Sequence, residues 1–357
     1  MKQLIAFLTG FSILVLLWGC PSPNKQDYYD AWFPTTPQNL VDVNTAYDDY
    51  NSMLPETHFG KQLIFSSNRY GFENDFDIVG DNFHAIWYME TGEFRVTNEW
   101  FGWQENFIPD ILKKANTEQN EFAPYFISYD IKDAGKTKRM FVLLYSTGST
   151  ESSYHESFIY GSEKPDGSLD TVYSPSVVAN LNDENQQYVS FYGPEVESLD
   201  LWELNPDNFT QMYFDESTGG NSNIYKIDIP ADSPDFLGFL KDTVELQKNK
   251  ITDLNSNAND RCPFINGNMM VFTSDRSGGF GGYDLYYSFY NGLQWSEPVN
   301  FGEEINSAYD EFRPVAVQVY EFKNDLMIFS SNRPGGQGGY DLYYVGIDKI
   351  TPTVIAD

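Results

Sequence analysis

The hydrophobic positions of this chain come in short runs of Ile, Val, Phe and Tyr broken by Gly, Asn, Asp and Pro, as in Leu63 to Phe65 and Met270 to Thr273. Runs this short, lacking a 3.6-residue period, predict strands rather than helices. Between Phe264 and Val271 the Asn266-Gly267 pair sits between apolar positions and predicts a hairpin. One short helix is expected from Ser233, with Pro234 in its first turn.

The runs repeat. VFTSDRSGGFGGYDLYYS, from Val271 to Ser288, returns almost unchanged as IFSSNRPGGQGGYDLYYV, from Ile328 to Val345, and IFSSNRYGFENDFDIV, from Ile64 to Val79, keeps their frame. Upstream of each lies a second landmark, clearest as INSAYDEFRP, and its copies anchor five units at Asn44, Asn116, Asn182, Asn255 and Asn306. Self-similarity at such a spacing marks a repeat architecture. Five small antiparallel sheets repeated radially predict an all-β, five-bladed propeller of four-stranded blades. The segment from Pro37 to Val41 is expected to add a strand to the last blade, closing the ring and removing a free edge. One propeller domain should therefore span 32–357, with insertions at about 80–108, 151–180, 194–209 and 230–250.

The doubled motif, preceded by PVNFGEEINS, resembles the WD-repeat-like propeller family related to TolB, found in envelope proteins of Bacteroidota-type bacteria. The resemblance is specific from about Leu254 to Val345, weaker over Trp32 to Val79, and weakest from Phe94 to Pro230. It implies protein binding without catalysis, within an envelope complex. The chain ends at Asp357 just past the last blade, so a peptidoglycan-binding domain is not expected.

The N-terminus changes this picture. Lys2, the apolar stretch Leu4 to Leu17 and then Gly19-Cys20 read as a lipoprotein signal peptide over 1–19, with Cys20 as the lipidated first residue of the mature chain. Several acyl chains of the palmitate type on one residue give firm anchoring, since each buried methylene contributes about 0.8 kcal/mol. Residues 20–31 form the tether, and outer-membrane attachment follows, on the periplasmic or the surface face. The chain carries 52 acidic against 22 basic residues, net -30. Such a field excludes nucleic acid as a partner and favours basic partners or divalent cations.

Little catalytic chemistry is legible. His58, His84 and His155 fall in no metal-binding spacing. The Gly-rich loops precede strands and offer no helix N-terminus to a phosphate. Gly278, Gly279, Gly281 and Gly282 are expected in backbone conformations closed to other residues. Arg276 with Asp284 and Arg333 with Asp341 are expected to pin their loops as charge-assisted pairs, with Arg69 and Asp77 as the weaker copy. Cys262, at the repeat position of Arg313, is expected to be a structural thiol without a disulfide. Alternating oxygen side chains at Asp75, Asp77 and Asp81, or at Asp253, Asn255 and Asn257, would suit calcium; solvated loops are the reading taken, and no cofactor is expected.

Partner recognition is placed on the aromatic insertion around Trp87, Tyr88, Trp100, Phe101 and Trp103. The reading is a non-catalytic lipoprotein that docks an integral outer-membrane transporter or secretion channel. The alternative is a surface propeller that binds or hydrolyses a glycan, since carboxylates in the channel of such a ring can cleave glycosides. The acids of the repeat landmark, among them Asp48, Asp49, Asp310 and Glu311, are expected to be structural, since a catalytic acid would not be copied from blade to blade.

Overall fold

A computed structural model describes residues 31–57, 60–70, 75–88, 90–91, 93–99, 108–133, 135–148, 154–164, 168–181, 186–193, 205–319 and 322–349. Strand β1 (Gln38–Asn39) comes first. Blade 1 holds β2 (Asp49–Met53), β3 (Glu56–Thr57), β4 (Gly60–Ser67) and β5 (Asp77–Asn82), followed by the hairpin β6 (His84–Tyr88) and β7 (Glu93–Thr97) and by helix α1 (Ile108–Ala115). Blade 2 holds β8 (Asn120–Asp133), β9 (Lys136–Gly148), β10 (Tyr154–Glu163), β11 (Leu169–Val172) and β12 (Ser176–Val177), the last two sharing the outer edge of β10. Blade 3 holds β13 (Gln186–Tyr192), β14 (Gln211–Thr218), β15 (Asn221–Asp228), helix α2 (Phe236–Lys241) and β16 (Asn249–Lys250). Blade 4 holds β17 (Asp260–Asn266), β18 (Met269–Ser274), β19 (Asp284–Phe289) and β20 (Val299–Asn300). Blade 5 holds β21 (Glu311–Val317), β22 (Asp325–Ser331) and β23 (Asp341–Ile347). The fold is a five-bladed β-propeller.

Closure follows the sequence. Gln38 pairs with Tyr344 and Asn39 with Tyr343, so β1 is the fourth strand of blade 5. Asn324 clamps the entering chain, accepting from the Phe33 N–H at 2.8 Å and donating to the Phe33 carbonyl at 3.0 Å. The β6–β7 hairpin packs on this closure, with the Phe94 ring 5.2 Å from Phe33.

The asparagine landmarks are blade-to-blade clamps. Asn306 accepts from the Leu285 N–H and donates to the Leu285 carbonyl, and Asn44, Asn116 and Asn255 bind Leu342, Ile78 and Ile224 in the same way. One amide thereby satisfies both backbone groups of a third-strand residue in the preceding blade. Asn182 lies outside the described residues.

Four expectations are corrected. The arginines of the repeat do not pair with the aspartates of their own loops. Arg276 binds Asp260 at 2.5 Å, Arg333 binds Glu311 at 2.8 Å and Arg69 binds Asp49 at 2.6 Å, each acid fully buried and belonging to the landmark. Asp284 and Asp341 instead accept loop amides, from Phe280 and Gly281 and from Gln337 and Gly338. Asp77 begins β5 and makes no ion pair with Arg69, whose guanidinium is held by Asp49. Of the four glycines named in the first loop only Gly278 has positive φ, at 94°. Gly281 is required for a different reason: a Cβ there would collide with the Tyr309 and Ser307 carbonyls of the next blade. The stretch 151–180 is not an insertion, since it supplies β10, β11 and β12. The helix also starts later than expected, with Asp235 as its N-cap and Phe236 as its first residue.

Candidate functional site at the propeller axis

Only five non-glycine residues among those described have positive φ: Asn51, Ala123, Tyr188, Cys262 and Arg313, between 50° and 59°. Each is the first residue of a β-bulge in the innermost strand of its blade, where two residues face one on the second strand. A left-handed non-glycine residue costs about 1–3 kcal/mol. Five copies at one level show that the bulge is built into the ring.

The residue before each bulge points into an axial cavity of about 600 Å³. Around the ring these are Tyr50, Phe122, Gln187, Arg261 and Phe312. Phe76, Tyr154, Tyr283 and Tyr340, at the start of the third strand of their blades, and Ser217, near the end of β14, also line it. The rings touch in two groups: Tyr283 lies 5.4 Å from Phe312 across blades 4 and 5, and Tyr50 lies 5.8 Å from Tyr340, 5.1 Å from Phe76 and 5.7 Å from Phe122, with Phe122 5.4 Å from Tyr154. Burial drives the Tyr50 hydroxyl well above its ordinary value, so it stays a neutral donor.

Blades 3 and 4 interrupt this aromatic wall with polar groups. Arg261 donates to the Gln187 side-chain oxygen at 3.2 Å and touches Asp215 through Nε at 3.4 Å, with its guanidinium 5.6 Å from both the Tyr188 and Phe312 rings. The cavity wall contains no carboxylate among the described residues.

Departures from the repeat gather beneath the cup. On the second strand, the residues opposite the cup positions are Ser66, Ser146, Asp215, Thr273 and Ser330: four hydroxyls and one acid. On the third strand the corresponding residues are Ile78, Glu156, Ile224, Leu285 and Leu342: four aliphatics and one acid. Asp215 and Glu156 are fully buried, and each has one oxygen without a hydrogen-bond partner, Oδ1 and Oε1. Burial pushes the Glu156 carboxyl up to about 8, against the Ser146 hydroxyl, which donates to it at 2.8 Å. Asp215 is raised by burial too, while Arg261 and the Cys262 N–H pull it back. Arg313 is 0% exposed, and its Nε and Nη2 find no partner.

Of the partner-surface residues expected from sequence, Trp87 is half-buried against the core and Tyr88 is exposed, whereas Trp100, Phe101 and Trp103 lie outside the described residues, as does Cys20. The cup residues were missed. Their signal was present in the columns next to each landmark, where Tyr50, Phe122, Arg261 and Phe312 align, and in the tyrosine of each GGYD segment. Among the described residues no group of three or more His, Cys, Asp and Glu side chains gathers as a metal site, and Asn255, one of the candidate calcium ligands, is committed to Ile224.

No family model matches this chain, and no curated protein does. Solved structures do. A GH43 protein from Bacillus licheniformis is 9% identical with a TM-score of 0.44, over 89% of this chain and 57% of that one, so this chain spans little more than half its length. An α-L-arabinofuranosidase from Lactobacillus brevis is 8% identical with a TM-score of 0.43, over 86% of this chain and 92% of that one. A xylan β-1,4-xylosidase from Bacillus halodurans is 9% identical with a TM-score of 0.44, over 86% and 54%. These neighbours are glycoside hydrolases, not docking subunits, and the expectation of a non-catalytic docking platform is set aside on that finding. At such identities and scores no activity or residue role is carried from them to this chain.

Proposed function

We propose that this protein is a carbohydrate-active propeller that binds a glycan in the axial cup. The observation that carries the reading is the lining: aromatic rings interspersed with the Asn120 and Gln187 amides, the Ser217 hydroxyl and the Arg261 guanidinium. Aromatic faces stack on the C–H face of a sugar ring, while planar amides and guanidinium groups bind its hydroxyls. A cavity of about 600 Å³ is in the range of a small-ligand site.

Hydrolysis of that glycan is the second reading, favoured by Glu156 and Asp215. Both depart from the repeat, as an acid retained for chemistry would, and both keep an oxygen unengaged. Glycoside cleavage needs two carboxyl groups, one of them protonated at working pH, and a Glu156 carboxyl near 8 meets that second requirement. Both acids lie below the cup floor and are closed to solvent, so cleavage requires the floor around Tyr188 to open.

The test is a glycan array followed by calorimetry and an assay of new reducing ends. Tyr283→Ala, which removes one wall ring, should weaken binding roughly tenfold, the scale of one lost aromatic contact. Absence of both binding and product across the array would sink the reading. Reducing-end release that persists in Glu156→Gln and Asp215→Asn would remove these acids from the chemistry.

We place this ring at the outer membrane, tethered through lipidated Cys20 and belonging to the TolB-like envelope propellers; the leader and the GGYDLYY motifs support that placement. Incorporation of labelled palmitate that is lost in Cys20→Ala would bear it out, and label retained by the variant would refute it.

A further inference from the structure

The charge at the axis runs against the charge of the chain. With 52 acidic and 22 basic residues, a random axial site would be acidic. The cup instead has a guanidinium, Arg261, in a column that otherwise holds Tyr50, Phe122, Gln187 and Phe312, and a second, Arg313, is buried behind the lining, 5.4 Å from the Tyr188 ring, in the adjoining bulge column of Asn51, Ala123, Tyr188 and Cys262. We infer that the cup selects glycans bearing an anionic group, a uronate carboxylate or a sulfate ester, seated against Arg261.

Three observations carry this inference, which rests on the glycan reading above. Arg261 is incompletely compensated: its contact with Asp215 is a single Nε approach at 3.4 Å, and the same Asp215 oxygen also accepts the Cys262 N–H at 2.9 Å. The fork of a guanidinium is suited to two parallel bonds with one carboxylate or sulfate, and that face meets the neutral Gln187 amide, through Nη2 at 3.2 Å, and not Asp215. Arg313, fully buried, makes no ion pair; its hydrogen bonding amounts to one long contact from Nη1 to the Pro263 carbonyl at 3.5 Å. An uncompensated buried cation is costly, and an anion close by offsets part of that cost.

The acids near the cup do not cancel these charges. Glu156 is held mostly protonated at neutral pH by its burial. Asp48 and Asp310 sit at the rim but do not line the cavity: Asp48 accepts the Tyr340 N–H, and Asp310 accepts the Tyr283 N–H, the Asn332 amide and the Tyr340 hydroxyl. One guanidinium thus lines the cup and a second lies buried behind it, with Asp215 the carboxylate in an ion pair with the first. The surrounding field of the whole chain slows the approach of an anion, and salt screens that field more than the buried contact.

The experiment is calorimetry on the full chain with matched pairs of oligosaccharides, each neutral member beside its uronate and its sulfated counterpart. The acidic member should bind at least roughly tenfold more tightly, the scale of a charge-assisted contact. Arg261→Gln combined with Asp215→Asn, which leaves no buried carboxylate unpaired, should bring the acidic and neutral members to equal affinity, read as the ratio of the two whatever the neutral member's own affinity becomes. Arg261→Lys, keeping the charge without the fork, should retain part of the preference, and it serves where the double variant fails to fold. Equal affinity of neutral and acidic members for the wild-type protein would overturn the inference and leave the glycan reading standing, whereas binding of neither member overturns both. A preference for only one of the uronate and sulfate counterparts supports it and identifies the group.

Discussion

Asp215 accepts the backbone N–H of Cys262 across the boundary between blades 3 and 4, at 2.9 Å. Thr273 does the same for Arg313 at 3.2 Å and Ser330 for Asn51 at 3.0 Å, so a fully buried carboxylate replaces a hydroxyl in a stitch that binds the innermost strands of blades 4, 5 and 1 to the blade before them. The substitution brings Arg261 with it, and the two act as one unit.

Removing one member of that unit should therefore cost more than removing both. Asp215→Ala leaves Arg261 and the Cys262 amide without their acceptor and should destabilise by about 3–5 kcal/mol. Asp215→Ser with Arg261→Phe restores the hydroxyl and the ring of the sister blades and should cost less than about 1.5 kcal/mol. Urea unfolding of the two single variants and the double variant measures the difference; additive costs would show that the pair is not coupled.

The repeat arginines should couple to the landmark acids alone. In a double-mutant cycle Arg276 with Asp260 should show an interaction of roughly 1–3 kcal/mol, while Arg276 with Asp284 stays within about 0.5 kcal/mol of additivity. The reverse ranking would restore the in-loop pair that the spacing suggests.

Stability should fall as pH rises. Glu156 has a folded-state value of about 8 against an ordinary value of 4.5, so the native state holds a proton that the unfolded chain has lost in between. The stabilisation is complete below about 4.5 and disappears as pH passes through about 8. Glu121 and Glu163, each raised by burial to about 7, act in the same direction. Glu156→Gln should match the wild-type protein at pH 5 and exceed it by roughly 2–4 kcal/mol at pH 8.5. Parallel melting curves at both pH values would count against the buried acid.

The closure of the ring should be sensitive to its clamp. Asn324→Ala abandons the N–H and the carbonyl of Phe33 within the core and should cost about 1–3 kcal/mol. Deletion of residues before Asn44 removes β1 together with buried Phe33, Leu40 and Val43, and should lower Tm far more. Scanning calorimetry compares the two, and an unchanged Tm in the deletion would mean that the ring closes without its first strand.

Much of the fold was legible because repetition amplifies weak signals. Asn44, Asn116, Asn255 and Asn306 stood out as anchors, and each one grips a backbone residue of the blade before it. The acids five positions later were aligned as well, but nothing in a linear string says that Asp260 lies under Arg276 whereas Asp284, closer in the motif, does not. The same logic hid the cup. A repeat position carries a structural pattern in the string, yet it is within the repeat columns that Asp215, Glu156 and Arg261 depart from their sisters.

The chain by itself determined the radial architecture, the blade count and the closing strand, because these depend on local patterning copied several times over. Which face of each copy meets the axis was decided only by the tertiary structure. A left-handed bulge residue in every innermost strand turns five side chains toward one point. A cavity built from one residue per blade, whose last and first members, Phe312 and Tyr50, come from opposite ends of the domain, exists only once the ring is closed.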